Sequence, residues 1–210
     1  EAFKMGWRPD MSDVVPTDKR VAVIGAGPAG LSAAIRLKQL AETKGEEINI
    51  AVIEKGSEVG AHILSGVVFD PKAIDELLPD WRDDPEMPFD TEVSEDKFLM
   101  LGDSASVAFP GFAMPGFMHN KGCYIGSLGT LARFLASKAE AMGVEIYPGF
   151  AAAEVIEEDG VIKGIVTGDM GVAKDGSQKD GYMPGMELRG KYTLIAEGAR
   201  GSLSKQLIRR

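Results

Sequence analysis

Lys19-Arg-Val-Ala-Val-Ile24 runs straight into Gly25-Ala-Gly-Pro-Ala-Gly30, and Leu31 to Thr43 (LSAAIRLKQLAET) follows. The first six residues are a short run with β-branched valine and isoleucine, the pattern of a buried strand. Leu31, Ala34, Ile35 and Leu40 recur at helical spacing, and Gly45 is placed to stop that helix. Ile48 to Ile53 (INIAVI) is the next strand. Strand, glycine turn, helix and strand form a βαβ unit, whose strands are parallel and buried. The G-x-G-x-x-G spacing of Gly25, Gly27 and Gly30 falls at the strand-to-helix turn. There the first glycine makes a tight turn, the second admits a pyrophosphate, and the third lets helix and strand pack closely. The free N–H groups and dipole of the helix start favour the anion. Glu54 ends the second strand, 24 residues beyond Gly30. A carboxylate there accepts from the hydroxyls of an adenosine ribose and repels a 2′-phosphate, so FAD or NAD is favoured over NADP. Pro28 and Ala29 within the fingerprint, and the small residues Ser32, Ala33 and Ala34 after it, are the flavoprotein form of the motif and favour FAD.

The rest of the 210-residue chain narrows the function classes. With 23 basic and 32 acidic residues, the net charge is −9, and no basic stripe is present to bind nucleic acid. No apolar run approaches the ~20 residues of a membrane-spanning helix. The single cysteine, Cys123, excludes an internal disulfide, a Cys-rich zinc site and a Cys-ligated iron–sulfur cluster held by this chain alone. The first residues lack the pattern of a signal peptide. Residues 1–18 read as an irregular arm. Pro71 to Asp96 is acidic and proline-containing, read as a short helix (Lys72–Leu78) followed by a solvated loop. An acidic docking face for a basic partner is the alternative reading. Val107 to Met118 (VAFPGFAMPGFM) is almost wholly apolar, and its prolines and glycines keep it from being a helix. Ser127 to Met142 reads as an amphipathic helix, with Gly143 as its cap. Ala151 to Thr167 reads as two strands around a Glu158-Asp159-Gly160 turn. A longer exposed hairpin over 169–184 and two strand-like pieces within Met186 to Ala196 come next, and the second of these pieces returns to the main sheet. Ser202 to Arg210 reads as a last helix.

GAGPAGLSAAIRLKQL, EKGSEVGAHILSG, GVEIYPGFAAAEV, GDMGVAKDG and GMELRGKYTLIAEGARGSLSKQL together resemble electron transfer flavoprotein–ubiquinone oxidoreductases, from about Arg20 to Leu207. The resemblance implies an α/β fold: a Rossmann-like FAD-binding domain of the glutathione-reductase-like type over 19–210, with an acidic and apolar insertion at 71–118 and an antiparallel β-hairpin region at 151–192. It implies FAD as cofactor, reduced electron transfer flavoprotein as electron donor and ubiquinone as acceptor. It also implies a [4Fe–4S] cluster that this chain does not ligate. The implied location is peripheral, on the inner face of a bacterial cytoplasmic membrane or the matrix face of the mitochondrial inner membrane.

Carried onto this sequence, the resemblance places Gly25, Gly27, Pro28, Ala29 and Gly30 at the FAD pyrophosphate, and Glu54 and Lys55 at the ribose. His62, Ser65 and Gly66 fall in the loop facing the flavin ring, and Glu197 and Gly198 in the returning strand's end. Without the resemblance, His62 reads as a surface histidine. No residue is assigned a proton-transfer role. Phe109, Phe112, Met114, Phe117 and Met118 are either a membrane-dipping, quinone-entry surface or a loop covering a neighbouring domain. Cys123 is expected to be a buried thiol. The family's cluster cysteines and later FAD contacts are missing, so the chain reads as part of a longer polypeptide. A related FAD monooxygenase or prenyl reductase, and a non-catalytic fragment, are the competing readings.

Overall fold

The computed structural model describes residues 20–173 and 175–209, so the expected N-terminal arm lies outside the described residues. In chain order the elements are β1 (Arg20–Ile24), α1 (Pro28–Lys44), β2 (Asn49–Glu54), β3 (Gly66–Phe69), α2 (Lys72–Leu77), β4 (Thr91–Glu92), β5 (Phe98–Leu101), β6 (Ser106–Phe109), β7 (Tyr124–Ser127) and α3 (Leu128–Ala141). They continue as β8 (Glu145–Pro148), β9 (Ala152–Glu158), β10 (Val161–Thr167), β11 (Met170–Val172), β12 (Gln178–Met183), β13 (Glu187–Arg189), β14 (Tyr192–Ile195) and α4 (Ser202–Ile208). The chain divides into two compact units. Of the described residues, those up to His62 and from Leu135 onward form the first, and Ile63 to Phe134 the second. The expected insertion at 71–118 falls inside the second unit.

In the first unit, β14, β1, β2 and β8 form a four-stranded sheet in that order, and every neighbouring pair is parallel. All five residues of β1 are buried, as expected of a strand covered on both faces. α1 begins with Pro28 at its first position, where the missing N–H costs nothing, and ends at Gly45. Gly45 has φ +65°, and its N–H and that of Glu46 close the last turn on Glu42 and Ala41. The antiparallel strands β13, β10 and β9 form a second sheet. One apolar core joins the layers: Ile24 and Ile53 from the parallel strands, Val155 and Ile165 from the antiparallel ones, and Leu203 from α4. β11 and β12 form the expected hairpin within 169–184.

The second unit corrects the reading of Pro71–Asp96. Past α2 this segment is not a solvated loop, because Trp81, Phe89 and Val93 are buried. Phe89 stacks on Phe69 with ring centroids 4.8 Å apart, and Trp81 meets Tyr124 edge-on at 5.3 Å. The Phe89 ring lies against Gly126 of β7, where any Cβ would fall 2.3 Å from it. Asp75 accepts hydrogen bonds from the Trp81 indole (2.7 Å) and from the Arg82 guanidinium, which lies 4.5 Å over the Trp81 ring. The anchors are single aromatics separated by acids and prolines. They carry no period of 2 or 3.6, so pattern reading misses them. β3, β7 and β4 form a three-stranded antiparallel sheet, and β5 pairs with β6 as an exposed hairpin. The thiol-bearing residue Cys123 is only partly buried, not enclosed as expected.

Candidate dinucleotide-binding site

The carboxyl ends of β1, β2 and β14 meet at one edge of the parallel sheet. β1 continues through α1 to β2 on one side, while β14 lies on the other. Strand order therefore reverses at β1, the topological position outside whose strand ends open α/β sheets bind ligands. The Gly25 N–H donates to the Ile53 carbonyl (2.8 Å) and the Ala196 N–H to the Ile24 carbonyl (2.8 Å), so the three strand ends are tied together.

The three fingerprint glycines have different surroundings. Gly25 has φ +109°, and a Cβ there would lie 2.5 Å from the Ala196 carbonyl oxygen. Both the left-handed backbone and the returning strand demand glycine at this position. At Gly30 a Cβ would lie 2.1 Å from the Gly25 carbonyl oxygen and 3.1 Å from Val23, so this glycine sets the helix–strand spacing. At Gly27 a Cβ would meet nothing within 4 Å. Gly27 caps α1 without any side-chain hydrogen bond, no acid stands in the helix's first turn, and Ala29 is exposed. The helix start thus presents unpaired N–H groups and the positive end of its dipole to open space, a ready anion site.

Glu54 closes the opposite wall. Its Oε2 accepts from the Ala26 N–H at 3.0 Å and its Oε1 from the Gly56 N–H at 2.7 Å. The carboxylate is held by backbone on both oxygens and keeps acceptor capacity for hydroxyl groups. Lys55 is exposed beside it. His62 Nδ1 lies 4.0 Å from Glu54 Oε1, and the imidazole is 58% exposed. Sequence reading missed Ala26 and Ala196 as parts of this site. The first acts through a backbone N–H and the second through a carbonyl, so neither leaves a side-chain signal. Gly56 is visible in retrospect as the glycine two residues past the acid.

Glu197 and Gly198 stand at the end of β14, as expected, but the Glu197 carboxylate is engaged. It accepts from the N–H groups of Ser202 (3.2 Å), Leu203 (3.0 Å) and Ser204 (3.1 Å), capping α4. Its evident work is to seat α4 so that Leu203 enters the core. Ser65 and Gly66 belong to the second unit, where the Ser65 carbonyl accepts from the Leu128 N–H and Gly66 pairs with Ser127. Phe109, Phe112, Met114, Phe117 and Met118 also lie in the second unit. Phe112 is 92% and Phe117 87% exposed, on two single 3-10 turns (Gly111–Ala113 and Gly116–Met118), while Met114 and Met118 are half-buried. Phe109 pairs edge-on with Phe98 across the β5–β6 hairpin, 5.9 Å between centroids. That hairpin went unread in the sequence, although Gly102-Asp103-Ser104 between two apolar runs is a turn signal. It adds Leu101, Met100 and Val107 to the exposed apolar surface. Among the described residues no His/Cys/Asp/Glu group could hold a metal ion, and no helix is long and apolar enough to cross a membrane.

A profile of the NAD(P)-binding Rossmann-like domain family matches residues 23–81. Over 193 residues, 90% of this chain, the sequence is 58% identical to the electron transfer flavoprotein–ubiquinone oxidoreductase of Pseudomonas aeruginosa, covering 35% of that protein. The mitochondrial proteins of the same name from Dictyostelium discoideum and Mus musculus are 54% and 49% identical over 89% and 90% of the chain, which covers 30% and 31% of them. The chain thus spans about a third of the length of these curated relatives. Among solved structures, a geranylgeranyl bacteriochlorophyll reductase-like protein from Thermoplasma acidophilum superimposes with TM-score 0.60 at 18% identity, over 89% of this chain and 41% of that one. A 2-methyl-3-hydroxypyridine-5-carboxylic acid oxygenase gives 0.58 at 21% identity, over 90% and 42%. Those two likenesses establish the fold alone. Over nine-tenths of its length the chain is similar in sequence to the electron transfer flavoprotein–ubiquinone oxidoreductases.

Proposed function

We propose, from that similarity, that this chain is the FAD-binding portion of an enzyme passing electrons from reduced electron transfer flavoprotein to ubiquinone. The observation that carries FAD binding is the open space over Gly27, at an uncapped helix start, facing a carboxylate fixed at the end of β2. In this reading the N–H groups after Gly27, with Pro28 and Ala29, receive the pyrophosphate. Gly25 and Gly30 keep the turn tight, Glu54 takes the ribose hydroxyls, and Lys55 and His62 border them. The negative charge of Glu54 disfavours a 2′-phosphate at the same position. The bound flavin supplies the electron-transfer chemistry, and the chain's residues hold and orient it. No residue here is assigned a proton-transfer role. An iron–sulfur cluster does not fit this chain, whose one cysteine is Cys123, so any such cluster takes its ligands elsewhere. The monooxygenase and prenyl-reductase readings have only fold-level likeness behind them. A non-catalytic role is met by the flavin test below.

The exposed apolar surface around Phe112 and Phe117 supports peripheral attachment to a membrane and a route for ubiquinone. Aromatic side chains this exposed are costly in water and are buried on contact with lipid. Burying one phenylalanine contributes about 1.5–3 kcal/mol. The paired substitution Phe112→Ser and Phe117→Ser is therefore expected to weaken liposome binding by ~100-fold or more, with flavin absorbance of the purified protein unchanged. Unchanged liposome binding would remove the membrane reading. A correctly folded, colourless protein that takes up no added FAD would remove the flavin reading.

A further inference from the structure

The apolar surface is a module with a neck. Within the second unit, residues 97–119 form an excursion that begins after Asp96 and returns at Asn120. Inside, the module holds itself: β5 pairs with β6, Phe98 with Phe109, and each 3-10 turn closes on its own carbonyl. At the neck, Asp96 Oδ2 accepts from the Asn120 backbone N–H at 2.7 Å, and Asp96 Oδ1 accepts from the Asn120 side-chain amide at 2.9 Å. This two-point clasp extends an existing ladder. β4 pairs with β7 at Thr91–Ile125 and Glu92–Tyr124. The Val93 N–H then donates to Cys123, and the Cys123 N–H to Asn120. The Cys123–Asn120 bond closes a turn, and on the far side of it Asp96 meets Asn120 where the apolar excursion begins.

We propose that the Asp96–Asn120 pair is a positioning clasp that fixes the apolar module on the β4–β7 ladder, so that Phe112 and Phe117 meet lipid as one ordered surface. This rests on the reading that the module docks on a membrane. A loop closed at its base has lost most of its freedom before binding, whereas an open one must lose it on the lipid surface. Both bonds run to an ionised carboxylate, which makes them stronger than neutral ones. Asn120, through its side chain and then its backbone, with His119 beside them, holds the Asp96 carboxyl below the usual range, as a clasp on the charged form requires.

The test compares parent, Asp96→Ala, Asn120→Ala and the Phe112→Ser/Phe117→Ser pair, each as the full chain, for binding to phosphatidylcholine vesicles. Cys123 reactivity toward an aromatic disulfide reports the neck, since Cys123 sits on the rung beside the clasp. Buried Trp81 reports the rest of the unit by its emission. Asp96→Ala removes both bonds and is expected to weaken vesicle binding by about tenfold, equal to ~1.4 kcal/mol, with Cys123 reacting faster and Trp81 emission unchanged. Asn120→Ala keeps the backbone bond and is expected to fall between Asp96→Ala and the parent. A parent that binds vesicles and an Asp96→Ala variant that binds equally well would overturn the clasp and leave the membrane reading standing. A parent that does not bind removes the membrane reading and, with it, the clasp's proposed role. If Asp96→Ala shifts the Trp81 emission, Asn120→Ala decides alone: parental vesicle binding with a normal Trp81 overturns the proposal.

Discussion

Alanine at Gly27 and alanine at Gly30 should fail in opposite ways, although both break the same motif. A methyl at Gly30 points 2.1 Å from the Gly25 carbonyl oxygen, a backbone atom that cannot swing aside. Relieving it means lifting α1 off β1 by about 1 Å against a close-packed core, an overpacking cost near 3 kcal/mol. The better helix propensity of alanine returns about 1 kcal/mol. The net loss of about 2 kcal/mol corresponds to a melting temperature lower by roughly 4–8 °C for a chain of this size. A methyl at Gly27 meets nothing within 4 Å, and Gly27 has φ −81°, open to any residue. Its stability cost is confined to the weaker cap of alanine, under about 1 kcal/mol. The methyl does occupy the space through which a phosphate oxygen reaches the helix N–H groups. Losing one charge-assisted hydrogen bond costs about 1.5–3 kcal/mol, or ~10–150-fold in Kd. Thermal unfolding followed by circular dichroism, and calorimetric titration of the flavin-stripped protein with FAD, separate the two effects. FAD affinity unchanged in Gly27→Ala, or stability unchanged in Gly30→Ala, would refute the assignment of open and packed glycines on which the site rests.

Glu197→Ala removes the acceptor for three N–H groups of α4 and should cost about 0.5–2 kcal/mol of stability. If Glu197 acts only as a cap, FAD affinity measured well below the melting temperature stays within about twofold, whereas a large loss marks direct contact. Hydrogen bonds from Arg82 and then Trp81 hold the Asp75 carboxyl below its usual range. A depressed carboxyl contributes stability that is present above its unfolded pKa of about 3.9 and lost as pH falls through the lower folded value. Trp81 emission is therefore expected to hold steady down to about pH 4 and to change only in stronger acid, and a transition above the ordinary carboxylate range would contradict the role of Asp75. If the acids of 75–96 face a basic partner, the rate of electron uptake from electron transfer flavoprotein falls as ionic strength rises. A salt-independent rate discards that face.

Much of the first unit was legible because its residues report locally. Val21–Ile24 and Ile50–Ile53 are buried and every side chain in them is apolar, and the glycines between them have few other uses at that spacing. The Glu158-Asp159-Gly160 hairpin turn was equally plain: Asp159 has φ +52° and Gly160 +75°, and the residue types announce it. Illegibility began where the stabilising contacts are long-range and few. Trp81 and Phe89 stand alone among acids, and what buries them is Phe69, Tyr124 and the bare backbone of Gly126, none adjacent in sequence.

The sequence alone therefore determined the βαβ unit, its glycine turn, the acid Glu54 at the end of the second strand, the returning strand and the family likeness. Each depends on residue type at short spacing, where backbone geometry leaves few alternatives. Only tertiary structure decided which fingerprint glycine is open and which are packed, because Gly25 is closed by Ala196, arriving just past a strand about 170 residues later, and Gly30 by the Gly25 carbonyl and Val23. Tertiary structure likewise turned Glu197 toward α4, made a small core out of an acidic segment, and closed the apolar module through Asp96 and Asn120. A hydrogen bond or a ring contact across the fold needs two partners in one place, and a sequence names the partners without stating that they meet.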